Sequence, residues 1–158
     1  MKKDEKINAH LLSVWMETKR IVSIGGKEGM LFLTDEHLIF VYKTKAKMKW
    51  WQYAVTRQIT KMIKNKQTLI RHDGYNENNL LEDLQDKRNL EIHFKNILDV
   101  NHEQKKWGSV LNLSYMVKNK QKKCRFTIVQ DWVKYPLKAP TKYMNVDWEQ
   151  FIQKIVKR

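Results

Sequence analysis

The chain has 158 residues, a formal net charge of +14 at pH 7 and one cysteine, Cys124. Its hydrophobic residues (42%) suffice for a buried core, which excludes disorder over the whole chain, and a single cysteine excludes an intramolecular disulfide. No apolar run approaches the roughly 20 residues that span a bilayer, and no secretory signal is visible, so we expect a soluble cytoplasmic protein without a transmembrane segment.

The first predicted elements along the chain are extended. The earlier part of residues 10–24, with Leu11, Leu12 and Trp15, fits either a short helix or an extended lead-in, and residues 20–24 alternate as a strand would. Three glycines within residues 25–29 predict a turn, because glycine adopts positive φ freely. Residues 30–34 and 37–42 are rich in β-branched and aromatic side chains and predict an antiparallel hairpin.

After this hairpin, lysines recur at every second position, at Lys43, Lys45, Lys47 and Lys49. If the segment is extended, all four ammonium groups project from one face, about 6.7 Å apart along the strand. A strand from residue 37 to residue 50 would be long for a small domain, so we expect a bend near residues 44–46. Trp50 and Trp51 follow directly, either as interfacial anchors or as core residues.

The apolar period then changes, and residues 44–88 are expected to form a helical insertion. Val55, Ile59, Met62 and Ile63 fall at i, i+4, i+7 and i+8, which predicts an amphipathic helix within residues 54–70. Leucines at positions 80, 81 and 84, among acidic residues, predict a second, short helix.

Strand periodicity returns after the insertion, and the chain ends in a helix. Strands are predicted within residues 89–100, 108–117 and 124–129, with residues 118–123 as a basic hairpin tip and a loop with two prolines after the last strand. An amphipathic helix is predicted within residues 147–158, with Asp147 as its N-cap. Its apolar residues recur at i, i+3, i+4, i+7 and i+8: Trp148, Phe151, Ile152, Ile155 and Val156.

Residues 29–40, GMLFLTDEHLIF, resemble the G-x-L-x-L-T-x-x-x-L-I-F hairpin of the pleckstrin-homology-like superfamily, particularly its GRAM and bacterial PH-type domains. Residues 91–100 are similar to that superfamily's next strand, and the terminal helix is similar to the helix that plugs its barrel. The resemblance implies one α+β domain over residues 1–158. This domain would be a strongly bent antiparallel barrel of about seven strands, with a helical insertion after the third strand and a C-terminal capping helix.

The positive charge is concentrated in two stretches without acidic residues. Residues 37–72 carry nine basic side chains and residues 104–130 carry seven, whereas residues 73–103 carry eight acidic and three basic ones. Such asymmetry favours contact with an anionic partner, although a solubilising coat would also produce it.

No catalytic or metal-binding motif accompanies this charge. The five histidines share no metal-ligand spacing, and no nucleophile elbow occurs, so we predict no enzyme, no metal and no cofactor. PH and GRAM-type domains commonly bind lipids or proteins. The resemblance therefore implies a non-catalytic binding module that docks on an anionic membrane surface, as a peripheral protein, or on a protein partner.

The predicted docking surface combines the basic stretches with the adjacent tryptophans: Lys43, Lys45, Lys47, Lys49, Trp50, Trp51, Lys120, Lys122, Lys123 and Arg125. One alternative is a single-stranded nucleic-acid binding module, in which the lysine repeat follows the phosphates and the tryptophans stack on bases. Another alternative is a protein-interaction scaffold or homo-oligomer, in which a strand edge pairs with a peptide.

Overall fold

The computed structural model describes residues 1–18, 26–42, 48–130 and 142–157. These residues form an α+β fold with seven strands in one antiparallel sheet and three α-helices. The strands are β1 Ile7–Thr18, β2 Gly26–Thr34, β3 His37–Tyr42, β4 Leu90–His93, β5 Ile97–Lys105, β6 Gly108–Val117 and β7 Lys120–Ile128; the helices are α1 Met48–Asn65, α2 Glu77–Asp83 and α3 Glu149–Val156.

The strands lie in the order β4-β3-β2-β1-β7-β6-β5, so β1 is central and pairs with both β2 and β7. Its register with β2 shifts between Leu11 and Val14, and such a bulge increases the twist and bend of a strand. The sheet has two free edges, β4 and β5, and does not close. The predicted α+β class, the seven strands, the helical insertion after β3 and the terminal helix are confirmed, but the sheet is open.

The beginning of the sheet differs from the prediction in its turn. Residues 10–18 are extended, but Gly26 and Gly29 belong to β2 and not to a turn. A Cβ atom on Gly29 would collide with the carbonyl oxygen of Val41 and the ring of Phe40, and one on Gly26 would collide with the indole of Trp15. These glycines therefore permit close packing within the sheet. The strand predicted at residues 20–24 lies outside the described residues.

One face of the sheet forms the inner core with α3. Leu11, Leu31, Phe40, Leu111 and Phe126 contribute to it from five strands, and α3 adds Trp148, Phe151 and Ile155. The rings of Trp148 and Phe151 are fully buried and meet edge to face, with centroids 5.6 Å apart.

Two details of α3 differ from the prediction. The helix begins at Glu149, and the Asp147 carboxylate accepts a hydrogen bond from the Glu149 N–H (2.9 Å), although Trp148 is the N-cap. Val156 is 62% exposed and does not belong to the buried stripe.

The other face of the sheet forms an outer core with the helical insertion. Leu12, Met30, Phe32 and Ile39 point outward from β1, β2 and β3, and residues of α1, α2 and the segment between these helices cover them. Strands β1 to β3 are therefore buried on both faces, which explains their nearly continuous hydrophobic sequences.

Polar contacts at the β1 bulge hold α1 against the sheet. Leu12 N–H donates to Gln58 Oε1 (2.8 Å), and Gln58 Nε2 donates to the Leu12 carbonyl (2.9 Å). The Trp51 indole donates to Ser13 Oγ (3.1 Å), while Ser13 adopts φ 53°. The bulge takes the Leu12 backbone out of the β1–β2 ladder, and Gln58 restores both of its hydrogen bonds.

A buried carboxylate connects the start of the chain to the β2–β3 turn. Glu5 accepts hydrogen bonds from the Thr34 hydroxyl, the Glu36 N–H (3.0 Å) and the backbone N–H of Lys2 (3.0 Å), and lies 2.8 Å from His37 Nδ1. Burial alone would raise the pKa of Glu5, but these hydrogen bonds outweigh it and lower the pKa to about 2. The resulting stabilisation is present above about pH 4.5 and is lost as the pH falls toward 2.

Truncation of the α3 plug should destabilise the fold. We expect Phe151→Ala to lower the free energy of unfolding by about 3–5 kcal/mol, because it leaves a cavity in the inner core. The exposed Val156→Ala on the same helix is the control and should change it by less than about 0.5 kcal/mol. Denaturant titration measures both values, and equal effects would contradict the buried position of Phe151.

Removal of the Gln58 amide should also destabilise the fold. Gln58→Leu leaves the buried Leu12 N–H and carbonyl without their side-chain partner, so we expect a loss of about 2–4 kcal/mol in the free energy of unfolding. The same substitution at exposed Gln85 is the matched control, with an expected change near zero. A Gln58→Leu variant as stable as the wild type would show that the amide does not hold α1.

Acid should destabilise the insertion through His72. Burial, together with the nearby cations Lys61 and Arg57, lowers the pKa of His72 from 6.5 to about 4. Between these pH values the unfolded chain binds a proton that the fold does not, so the free energy of unfolding falls as the pH falls. We expect a loss of up to about 3 kcal/mol over this window.

Denaturant titration across this pH range checks the His72 prediction. His72→Gln should flatten the pH dependence, whereas His102→Gln, at an exposed histidine, should keep the wild-type slope. Identical slopes in all three proteins would rule His72 out as the cause.

Candidate anionic-ligand site

A cavity of about 670 Å³ opens at the end of the sheet where β1 and β3 end and β4 and β7 begin. We call it the mouth cavity. Met16 and Tyr115 belong to the inner core, so its wall is continuous with that core. The segment that leads into α3 contacts the start of β6, where Ser109 N–H donates to the Met144 carbonyl. The cavity lies at the other end of β6. The lining residues are Met16, Thr18, Tyr42, Lys87, Arg88, Asn89, Leu90, Tyr115, Gln121, Lys122 and Lys123.

The mouth cavity is strongly positive. Lys87, Arg88, Lys122 and Lys123 line it, and none of its lining residues is acidic. Arg88 binds Asp86, with its Nε 3.0 Å from each carboxylate oxygen, and this contact lowers the pKa of Asp86 to about 2. Within the described ranges, no ion pair engages the three lysines. Three ammonium groups are therefore left to attract an anion.

The β6–β7 hairpin carries two of these lysines. Its turn consists of Lys118 and Asn119, both with positive φ (47° and 60°), as a two-residue hairpin turn requires. Lys122 lies opposite Tyr115, and Lys123 lies opposite Ser114. The predicted tip over residues 118–123 is therefore too long, because β7 already begins at Lys120.

The other two cations lie at the end of the insertion, between α2 and β4, and sequence analysis missed them. Asn89 Oδ1 accepts a hydrogen bond from Tyr42 N–H (3.0 Å), and Asn89 Nδ2 donates to the Asp83 carbonyl (2.6 Å). This amide joins the end of β3 to the end of α2 and fixes Lys87 and Arg88 beside the cavity. Their acidic sequence context concealed them, although they directly precede a strand that pairs with β3.

The predicted site residues on β7 fall into two groups. Lys122 and Lys123 line the mouth cavity. Lys120 is exposed on the same strand but does not line it, and Arg125 forms an ion pair with Glu17 on neighbouring β1. Arg125 therefore has a structural partner within the sheet.

The structure describes only part of the predicted lysine and tryptophan stretch over residues 43–51. Lys43, Lys45 and Lys47 lie outside the described residues. The chain is helical from Met48, so Lys49, Trp50 and Trp51 do not continue an extended strand. Trp51 is fully buried in the outer core and hydrogen-bonded to Ser13, so it is a core residue and not an interfacial anchor.

Burial keeps two ionisable side chains near the mouth cavity in their neutral forms. Cys124 faces the inner core, and burial raises the pKa of its thiol to about 12, so the reactive thiolate is suppressed. Burial also raises the pKa of Tyr115, in the cavity wall, to about 12, so this ring adds no negative charge. Cations beside neutral polar and apolar groups suit the capture of an anion.

No protein-family model matches the chain, and no curated protein is similar to it in sequence. None of the helices in the described ranges is both long and apolar enough to cross a bilayer. The function is therefore inferred from the residues of the chain itself.

Proposed function

We propose that the protein is a non-catalytic binding module of PH/GRAM-like type that holds the phosphate-bearing head group of an anionic membrane lipid in the mouth cavity. One observation carries this proposal: a 670 Å³ cavity at one end of the sheet is lined by four cations and by no carboxylate. Cavities of this size accommodate ligands of small-molecule dimensions.

The chemistry of the wall fits a phosphate group. Lys87, Lys122 and Lys123 are point charges with rotatable donors, and Arg88 presents a planar donor fork. Met16 and Leu90 offer apolar contact to the carbon atoms of a head group. At about 1 kcal/mol per cation near an anionic surface, the three unpaired lysines give roughly 3 kcal/mol, which is weaker than millimolar affinity. Enclosure in the cavity has to supply the remaining affinity.

The fold supports the PH-like part of the proposal. A superfamily member should have seven antiparallel strands, a strong bend and a C-terminal helix that packs against the inner face. The strand order β4-β3-β2-β1-β7-β6-β5 and the buried rings of α3 support the expected strands and helix, and the bulge in β1 supports the bend. The described sheet is open and does not form the closed barrel that the resemblance implies.

The aromatic residues of the cavity favour a head group over single-stranded nucleic acid. Base stacking needs exposed ring faces, but Tyr115 is buried and Tyr42 is half-buried beneath the ammonium of Lys27, which lies 4.7 Å from its ring centre. Trp51, the predicted stacking residue that the structure describes, lies in the outer core. A protein partner with an acidic segment remains an outcome that the experiment below distinguishes.

Charge reversal in the mouth cavity should abolish vesicle binding. We expect Lys122→Glu/Lys123→Glu to reduce binding to phosphoinositide-containing vesicles at least tenfold, because two attractions become repulsions. Lys95→Glu/Lys154→Glu is the matched control, because it changes net charge equally at exposed lysines outside the cavity. Co-sedimentation measures all three proteins.

Three outcomes would overturn the proposal. Equal losses in both double variants would indicate attraction by net charge alone. Absence of wild-type binding to vesicles, with cavity-dependent binding of a short single-stranded RNA, would indicate a nucleic-acid module. Absence of binding to either would leave a protein partner.

A further inference from the structure

The outward face of α1 combines exposed apolar groups with unopposed positive charge. Trp51, Val55, Gln58 and Met62 face the sheet, and the Gln58–Leu12 hydrogen bonds fix the rotation of the helix. That rotation exposes the opposite side of the helix to solvent from Tyr53 to Ile63.

Two large hydrophobic residues are among those that this rotation exposes. Tyr53 is 79% exposed and Ile63 is 67% exposed. Neither side chain belongs to the outer core that the same helix covers. Thr56 and Thr60 lie between them at helical spacing, and Thr60 Oγ1 donates to the Thr56 carbonyl (3.0 Å), which satisfies that hydroxyl within the helix. We call these four residues the α1 ridge; it extends about 15 Å along the helix axis.

A row of cations runs beside the α1 ridge. Arg57, Lys61 and Lys64 occupy positions i, i+4 and i+7, and α1 contains no acidic residue. Like charges at these spacings destabilise a helix, so the row has a cost in stability. Arg57 has one described ion-pair partner, the fully exposed Asp73 at 3.8 Å. An exposed pair at this distance offsets little of the repulsion between the cations.

We infer that the α1 ridge inserts into the interfacial layer of an anionic membrane while Arg57, Lys61 and Lys64 contact the lipid head groups. An exposed tyrosine and isoleucine beside a cationic row match part of the pattern of a helix that lies in the plane of a membrane interface, namely apolar groups next to lysine and arginine. A nucleic-acid surface would use the cations but would not explain an exposed isoleucine. This inference shares the anionic membrane of the proposed function but concerns different residues, so each can fail alone.

Vesicles of phosphatidylcholine with about one third phosphatidylserine test the inference in the full chain. We expect Tyr53→Ser/Ile63→Ser to weaken binding at least tenfold, because both apolar anchors are lost. Leu98→Ser/Val156→Ser removes two comparably exposed hydrophobic residues (54% and 62%) elsewhere and should leave binding within about twofold. Thermal unfolding of each variant confirms that the substitutions at exposed positions leave the fold intact.

A fluorescent label reports insertion directly. Tyr53→Cys and Leu98→Cys can be labelled selectively with an environment-sensitive dye, because Cys124 is buried. On vesicles the emission of the label at position 53 should shift to the blue, and that of the label at position 98 should not.

The labelled proteins also separate the inference from the proposed function. If the emission at position 53 does not shift on vesicles, but vesicle binding still requires Lys122 and Lys123, the inference is overturned and the mouth cavity is supported. A blue shift that persists in a Lys122→Glu/Lys123→Glu background would support the inference and show that the ridge inserts without the cavity lysines. RNA binding that requires Arg57, Lys61 and Lys64, with no response on vesicles, would overturn the membrane assignment.

Discussion

The structure depends on the pairing of Gln58 with the backbone of Leu12. A strand that bulges in the middle of a buried sheet leaves an N–H and a carbonyl without partners, and each costs free energy if it remains unpaired. A side-chain amide has one donor end and one acceptor end, so Gln58 satisfies both groups of one residue. The same two hydrogen bonds anchor α1, and the outer core is built around this contact.

This arrangement divides structure and function between the two faces of the sheet. The inner face receives α3 near one end and leaves the mouth cavity at the other. The outer face is covered by the insertion, whose own outward side carries the α1 ridge. Asn89 connects the two regions, because it joins β3 to α2 beside the cavity. The insertion therefore contributes to both proposed contacts with an anionic surface.

Sequence patterns predicted the elements that local periodicity determines and missed those that tertiary contacts determine. The β2–β3 hairpin and α3 were predictable because their apolar residues recur regularly. The burial of Trp51 was not predictable, because its indole donates to Ser13, and the β1 bulge that presents the Ser13 hydroxyl has no local sequence signal. Sequence analysis predicted two of the four cavity cations, Lys122 and Lys123. The positions of Lys87 and Arg88 could be predicted only with the strand order, since no local pattern places an acidic helix beside the end of β3.

The central position of β1 has a consequence for biosynthesis. Among the described strands, β1 is translated before all the others, yet its second neighbour, β7, is translated after all the others. The described outer core draws on residues up to Leu84, so it can assemble while β4 to β7 are still being translated. Until β7 arrives, the far edge of β1 and the apolar inner face stay uncovered, which makes the nascent chain prone to aggregation at that stage.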